Sequence, residues 1–207
     1  MADTNRRLIP ESIQNRFMIL LTPIIKILKK RGIHPNGFTL AGVIITSMAA
    51  VAFIMGHLRA GGVLILAGGL CDSIDGSLAR SSGKANRFGA LFDSAIDRYS
   101  EFLMFFGIAA YFITLNDHPT SVVTFLALCG SVMVSYNRAR AESLGFESKA
   151  GLMQRPERII FLGTGALIHP LVFKLTIWFV AIFANLTALQ RIRNAYKQDE
   201  TKSDQNE

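Results

Sequence analysis

Six apolar stretches recur along this chain, at 38–55, 61–70, 102–115, 122–134, 159–168 and 171–189, and they leave few ways for it to fold. Half of its 207 residues are hydrophobic and only 18% are charged, an apolar-rich balance against the soluble norm. The expectation is an all-α integral membrane protein with six transmembrane helices in one domain. Several stretches are too short alone, because a helix needs about 20 residues to cross roughly 30 Å of hydrocarbon. A second crossing that starts at Gly61 reaches Asp72 after only about 16 Å at 1.5 Å per residue, so Asp72 is expected well below the surface. The fourth crossing needs Arg138 and Arg140 to complete it, and the fifth needs the Arg155 to Arg158 end. Polar residues thus fill out one end of three helices, which predicts a water-filled cavity open to one side.

Charge selects the side. With six crossings both termini share a face, and all 22 Lys and Arg except Arg59 and Lys174 fall on it. Basic residues accumulate in cytoplasmic segments, so the cavity and both termini are expected to face the cytoplasm. A formal charge of +7 would suggest nucleic acid in a soluble protein. Here it sits beside lipid headgroups, so anionic lipid is the expected partner and nucleic acid is not. Cys71 and Cys129 lack a C-x-x-C spacing and indicate neither a disulfide framework nor zinc. Arg6 and Arg7 are not followed by a signal-peptide pattern.

Ahead of the first crossing, Ile13, Phe17, Leu20, Leu21, Ile24 and Leu28 recur at helical spacing. This predicts an interfacial amphipathic helix over 11–31, broken or kinked near Leu21 by Pro23. The membrane domain is expected to span 1–197, with 198–207, which holds no apolar residue, as a disordered polar tail.

The second and third crossings carry four acids at membrane depth, where ionised groups persist only if they pair, line a wet cavity or bind something. Asp72 and Asp75 are three apart, and Asp93 and Asp97 four apart, so each pair lies on one helix face. A short connection at 81–87 makes the two helices antiparallel neighbours, so all four carboxylates can converge. Such charges raise one another's pKa unless cations neutralise them. Oxygen-only ligands select Mg²⁺ or Mn²⁺, and a pair of such ions is a recurrent device for displacement at phosphorus. Gly76, Ala79 and Gly89 lie beside the acids, where missing side chains let a ligand or another backbone approach. Small-residue helix packing would explain each glycine equally well.

The spacing D-x2-D-G-x2-A-R-x8-G-x3-D-x3-D, complete from Asp72 to Asp97, resembles the defining motif of the CDP-alcohol phosphotransferases. Pro35, Asn36 and Thr39 resemble that family's Pro-Asn-x-x-Thr element. The resemblance implies a membrane enzyme that moves a phosphatidyl or similar group from CDP-diacylglycerol, or a related CDP-lipid, to an alcohol, releasing CMP. It implies Asp72, Asp75 and Asp93 as ligands of two ions, and Asp97 as a further ligand, the general base, or both. It places Asn36, Thr39, Gly76, Ala79, Arg80 and Gly89 at the CDP-donor site, and it implies a homodimer.

The acceptor is read from a second basic cluster. Arg138, Arg155, Arg158 and Arg191 approach the same end from three helices, more than a metal-held diphosphate needs, and suit a phosphorylated acceptor through bidentate contacts. The patches around them resemble the inositol-phosphate branch of the family, with Arg138 where Lys is expected. Inositol phosphate is therefore the expected acceptor, and glycerol 3-phosphate, as in a phosphatidylglycerophosphate synthase, is the nearest rival. Headgroup anchoring is the competing explanation for any single Arg, and Pro156 and Glu157 also suit a helix N-terminus. Two other classes use acids in a helical membrane cavity: a cation transporter with a carboxylate ion site, which needs access from both faces, and an aspartate-rich prenyltransferase, which needs no cytidine pocket.

Overall fold

In a computed structural model, residues 8–82, 86–148 and 151–203 are described, and they form seven helices. In chain order these are α1 (Glu11–Lys30), α2 (Pro35–Ile54), α3 (Leu58–Ser82), α4 (Arg87–Thr114), α5 (His118–Ser143), α6 (Arg155–Ile168) and α7 (Pro170–Ser203). No strand occurs among the described residues.

Four helices, α2, α3, α5 and α7, are long and apolar enough to cross a membrane. Helices of this length and composition are those of an integral membrane protein. The other two expected crossings exist as helices but fall short as apolar spans among the described residues. α6 has only 14 residues, starting with Pro156 in its first turn and ending before Pro170. α4 is 28 residues long, but its first fifteen residues carry Asp93, Asp97, Arg98 and Glu101. Outward-facing Leu40, Ile44 and Met48 on α2, and Leu175, Ile182 and Leu186 on α7, are exposed and give the bundle an apolar exterior.

α2 is the spine. It packs on both α3 and α4, which touch each other little, so the antiparallel α3–α4 seam expected from their short connection is not what holds them together. Small residues explain the arrangement. A Cβ on Gly107 of α4 would sit 2.5 Å from Ala50 Cα, and one on Gly68 of α3 would sit 2.7 Å from Thr46 Oγ1. Close approach to α2 on two sides leaves space between the acid-bearing faces of α3 and α4. At the far end Phe53 of α2, Tyr111 and Phe112 of α4 and Phe173 of α7 form an aromatic core, with Phe53 and Phe173 stacked at 5.4 Å between centroids. α5 and α7 pair along their length, tied by Asn185 Nδ2 donating to Leu126 O at 3.0 Å and Asn137 Nδ2 to Ala188 O at 3.0 Å.

α1 runs through Pro23 as one helix, so of the break or kink expected there the break does not occur. Leu21 and Ile25, on either side of the proline, are both buried against Ile74 and Leu78 of α3, and that packing holds the helix together. α7 continues to Ser203, through the stretch expected to be an unstructured tail. Gln198 there donates to Glu147 O and accepts from Glu147 N, both at 2.8 Å. Residues 204–207, and 83–85 in the α3–α4 connection, lie outside the described residues.

Candidate active site

Near the ends of α3 and α4 the acids meet. One carboxylate oxygen each from Asp72, Asp75 and Asp93 lie within 4.8 Å of one another. Asp75 Oδ2 and Asp93 Oδ1 are buried with no hydrogen-bond partner, which is costly for a carboxylate. An all-oxygen donor set with orphaned buried atoms fits a hard divalent cation, so these three residues could hold one. Asp97 is not one of the three but lies against Asp72. Arg155 Nη1 lies 2.6 Å from Asp97 Oδ1 and 2.5 Å from Asp72 Oδ1, so a guanidinium from α6 joins the two acid-bearing helices.

A cleft of about 170 Å³ opens beside the acids. Asn36, Thr39, Gly76, Ala79, Arg80 and Gly89, the residues expected at the donor site, all line it, together with Asp75 and Asp93. Local structure explains how. Pro35 occupies the first turn of α2, and His34 caps that turn by accepting from Asn36 N at 3.3 Å, which sets Asn36 and Thr39 at the cleft mouth. Thr39 lies beside Asp75 in the cleft wall. Arg80 turns back along α3, with Nη2 3.2 Å from Ser77 Oγ, and a Cβ on Gly76 would lie 3.4 Å from its Nη1. Asn86 caps α4 by accepting from Gly89 N at 2.6 Å, and a Cβ on Gly89 would press to 3.3 Å from the capping oxygen.

The expected acceptor arginines do not form one open set. Arg158 is 1% exposed and paired with Glu101, itself 3% exposed. Arg155 is committed to Asp72 and Asp97. Arg191 is buried and donates to Val134 O at 2.5 Å, close enough to Arg138 and Arg158 to feel both charges. Arg138 is exposed and pairs with Glu142 at 2.8 Å. Burial is the physical reason for the difference: a guanidinium taken out of water needs an acid or carbonyl, and these found partners within the protein.

Two participants were missed in the sequence. Asn86 could have been found as an Asn directly before a helix. Glu101 lies one turn beyond Asp97; it accepts from Arg158 and forms an ion pair with Arg98 at 2.8 Å. Its signal was the continuation of helical acid spacing past the end of the motif.

A family model for CDP-alcohol phosphatidyltransferases matches residues 32–189, and the chain belongs to that family, whose members are CDP-alcohol phosphotransferases. It is 39% identical over 174 residues to the archaetidylinositol phosphate synthase of Pyrococcus horikoshii, covering 84% of this chain and 89% of that one. It is 32% identical over 189 residues to the phosphatidylinositol phosphate synthase of Mycobacterium tuberculosis, covering 87% of each. A crystal structure of the latter enzyme with CDP-DAG bound superposes with a TM-score of 0.75, covering 84% of this chain and 92% of that one. Its complex with manganese and citrate gives the same score, covering 84% and 88%.

Proposed function

We propose that this enzyme transfers a phosphatidyl group, or its ether-lipid analogue, from a CDP-lipid to the hydroxyl of inositol phosphate and releases CMP. One observation carries the reading: Asp75 and Asp93 belong both to the three-acid group and to the wall of the cleft lined by Asn36, Thr39, Gly76, Ala79, Arg80 and Gly89. A diphosphate seated there has the cleft on one side and the acids on the other.

Asp72, Asp75 and Asp93 are assigned to two divalent ions, Mg²⁺ or Mn²⁺, which when bound supply positive charge for the diphosphate and the departing CMP. Asp97, outside the trio, is assigned as general base. It takes the proton as the acceptor oxygen bonds to the lipid-linked phosphorus and the bond from that phosphorus to the CMP oxygen breaks. Arg80 flanks the phosphates. Arg138 and Arg191, with Arg155 at their border with the acids, are assigned to the acceptor phosphate, while Arg158 is committed to Glu101. Inositol phosphate as acceptor is supported by the names of the relatives.

The same reading gives six crossings by α2–α7, α1 in the interface, a site facing the cytoplasm and a homodimer. Its orientation is supported by the way the basic ends gather. Leu8 N bonds Leu152 O at 3.3 Å and Gln198 bonds Glu147, which puts the N-terminal segment, the α5–α6 connection and the end of α7 on the site's side. On the opposite side Lys174 is neutralised by Asp117 at 2.7 Å. Purified protein given CDP-diacylglycerol and Mn²⁺ should release CMP with inositol phosphate. Release with glycerol 3-phosphate and not with inositol phosphate would overturn the acceptor.

A further inference from the structure

We infer that Arg155, in addition to bordering the acceptor phosphate, acts as an internal counter-cation: it bridges Asp97 and Asp72 and competes with the divalent ion for Asp72. This deepens the metal reading above and rests on it.

The geometry is specific. A single nitrogen, Nη1, contacts one oxygen of Asp72 on α3 and one of Asp97 on α4, and the Arg155 side chain is only 16% exposed. α3 and α4 have little direct backbone packing, and where their carboxylates meet, Asp72 beside Asp97, this contact from α6 supplies the positive charge between them. The neighbouring arginines do not compete for the position. Glu101 takes both Arg98 and Arg158, which leaves Arg155 as the guanidinium that meets the acids at close range. Arg98 comes no nearer than 3.9 Å to Asp97 while it holds Glu101 at 2.8 Å.

A fixed cation on one of three ligands must weaken ion binding, both by occupying an Asp72 oxygen and by repulsion across a few ångströms of poorly screened space. The arrangement has a use. It keeps Asp97 oriented and outside the ligand set, so the same carboxylate remains available as a base when the ion arrives and Arg155 gives up Asp72.

The test is Mn²⁺ binding to detergent-solubilised protein without substrate, followed by the electron paramagnetic resonance signal of free Mn²⁺. Arg155→Gln should tighten Mn²⁺ binding by at least about fivefold, and Arg155→Lys, which keeps the charge, should fall between that variant and the wild type. An unchanged or weaker affinity in Arg155→Gln would overturn the inference while leaving the metal site in place. If Arg155→Gln fails to fold, Arg155→Lys decides, since affinity at or below the wild-type value would equally overturn it. Absence of Mn²⁺ binding by the wild type would overturn the metal reading and this inference with it.

Discussion

Arg158 of α6 and Glu101 of α4 form an ion pair that is almost wholly buried, at 1% and 3% exposure, directly behind the acidic site. Such a pair adds little net stability compared with apolar packing, but removing one partner strands a charge. Glu101 also holds Arg98, so Glu101→Gln leaves two guanidinium groups short of an acid. The expected loss is about 3–5 kcal/mol, read as a lower melting temperature in detergent. Glu101→Gln combined with Arg158→Met should recover part of that loss.

Asp97→Asn removes a proton acceptor without changing side-chain size. Turnover should fall by about 10²–10⁴-fold, while the protein stays folded and still binds CDP-lipid. Near-normal turnover would remove the base assignment. Weakened Mn²⁺ binding in this variant would return Asp97 to the ligand set.

Much of this site was legible before the fold was known, because acids at helical spacing in an apolar context have few explanations. Between Asp72 and Asp97 the spacing named Asp75, Gly76, Ala79, Arg80, Gly89 and Asp93, which line one cleft with Pro35, Asn36 and Thr39 of the preceding element. The arginines were less legible. Sequence places Arg155, Arg158 and Arg191 at the right end of the bundle, but which anion each meets depends on neighbours as distant as Glu101 and Val134, and burial decides it. The role of α2 was hidden for the same reason. A close helix crossing is encoded by pairs such as Gly107 and Ala50, which look ordinary apart. Pro23 misled because local propensity is overridden where both flanks of a helix are packed.

Gly107→Ala tests the spine directly. Its new methyl would meet Ala50 backbone, with Cα at 2.5 Å and O at 2.8 Å, so α2 and α4 must separate. A destabilisation of about 1–3 kcal/mol is expected in thermal unfolding, together with reduced turnover as the acids on α4 shift. Gly37→Ala, where a Cβ meets nothing within 4 Å, should leave the melting temperature unchanged or slightly raised.

Lys174 donates to Asp117 at 2.7 Å, and that bond, with further donation from Thr120, holds the Asp117 carboxyl below the ordinary carboxylate range. A depressed folded-state value contributes stability above the unfolded value of about 3.9, and this is lost as pH falls through the folded value. Lys174→Met should therefore lower the melting temperature modestly at pH 7, as expected for a partly exposed pair, and the gap from wild type should close as pH falls through the depressed Asp117 value.

The central claim is that Asp72, Asp75 and Asp93 activate a CDP-lipid through divalent cations, and a chelation experiment meets it most directly. CMP release from CDP-diacylglycerol and inositol phosphate should stop when EDTA is added and return with excess Mn²⁺, and Asp93→Asn should not respond to that addition. CMP release that persists undiminished in EDTA would contradict the account.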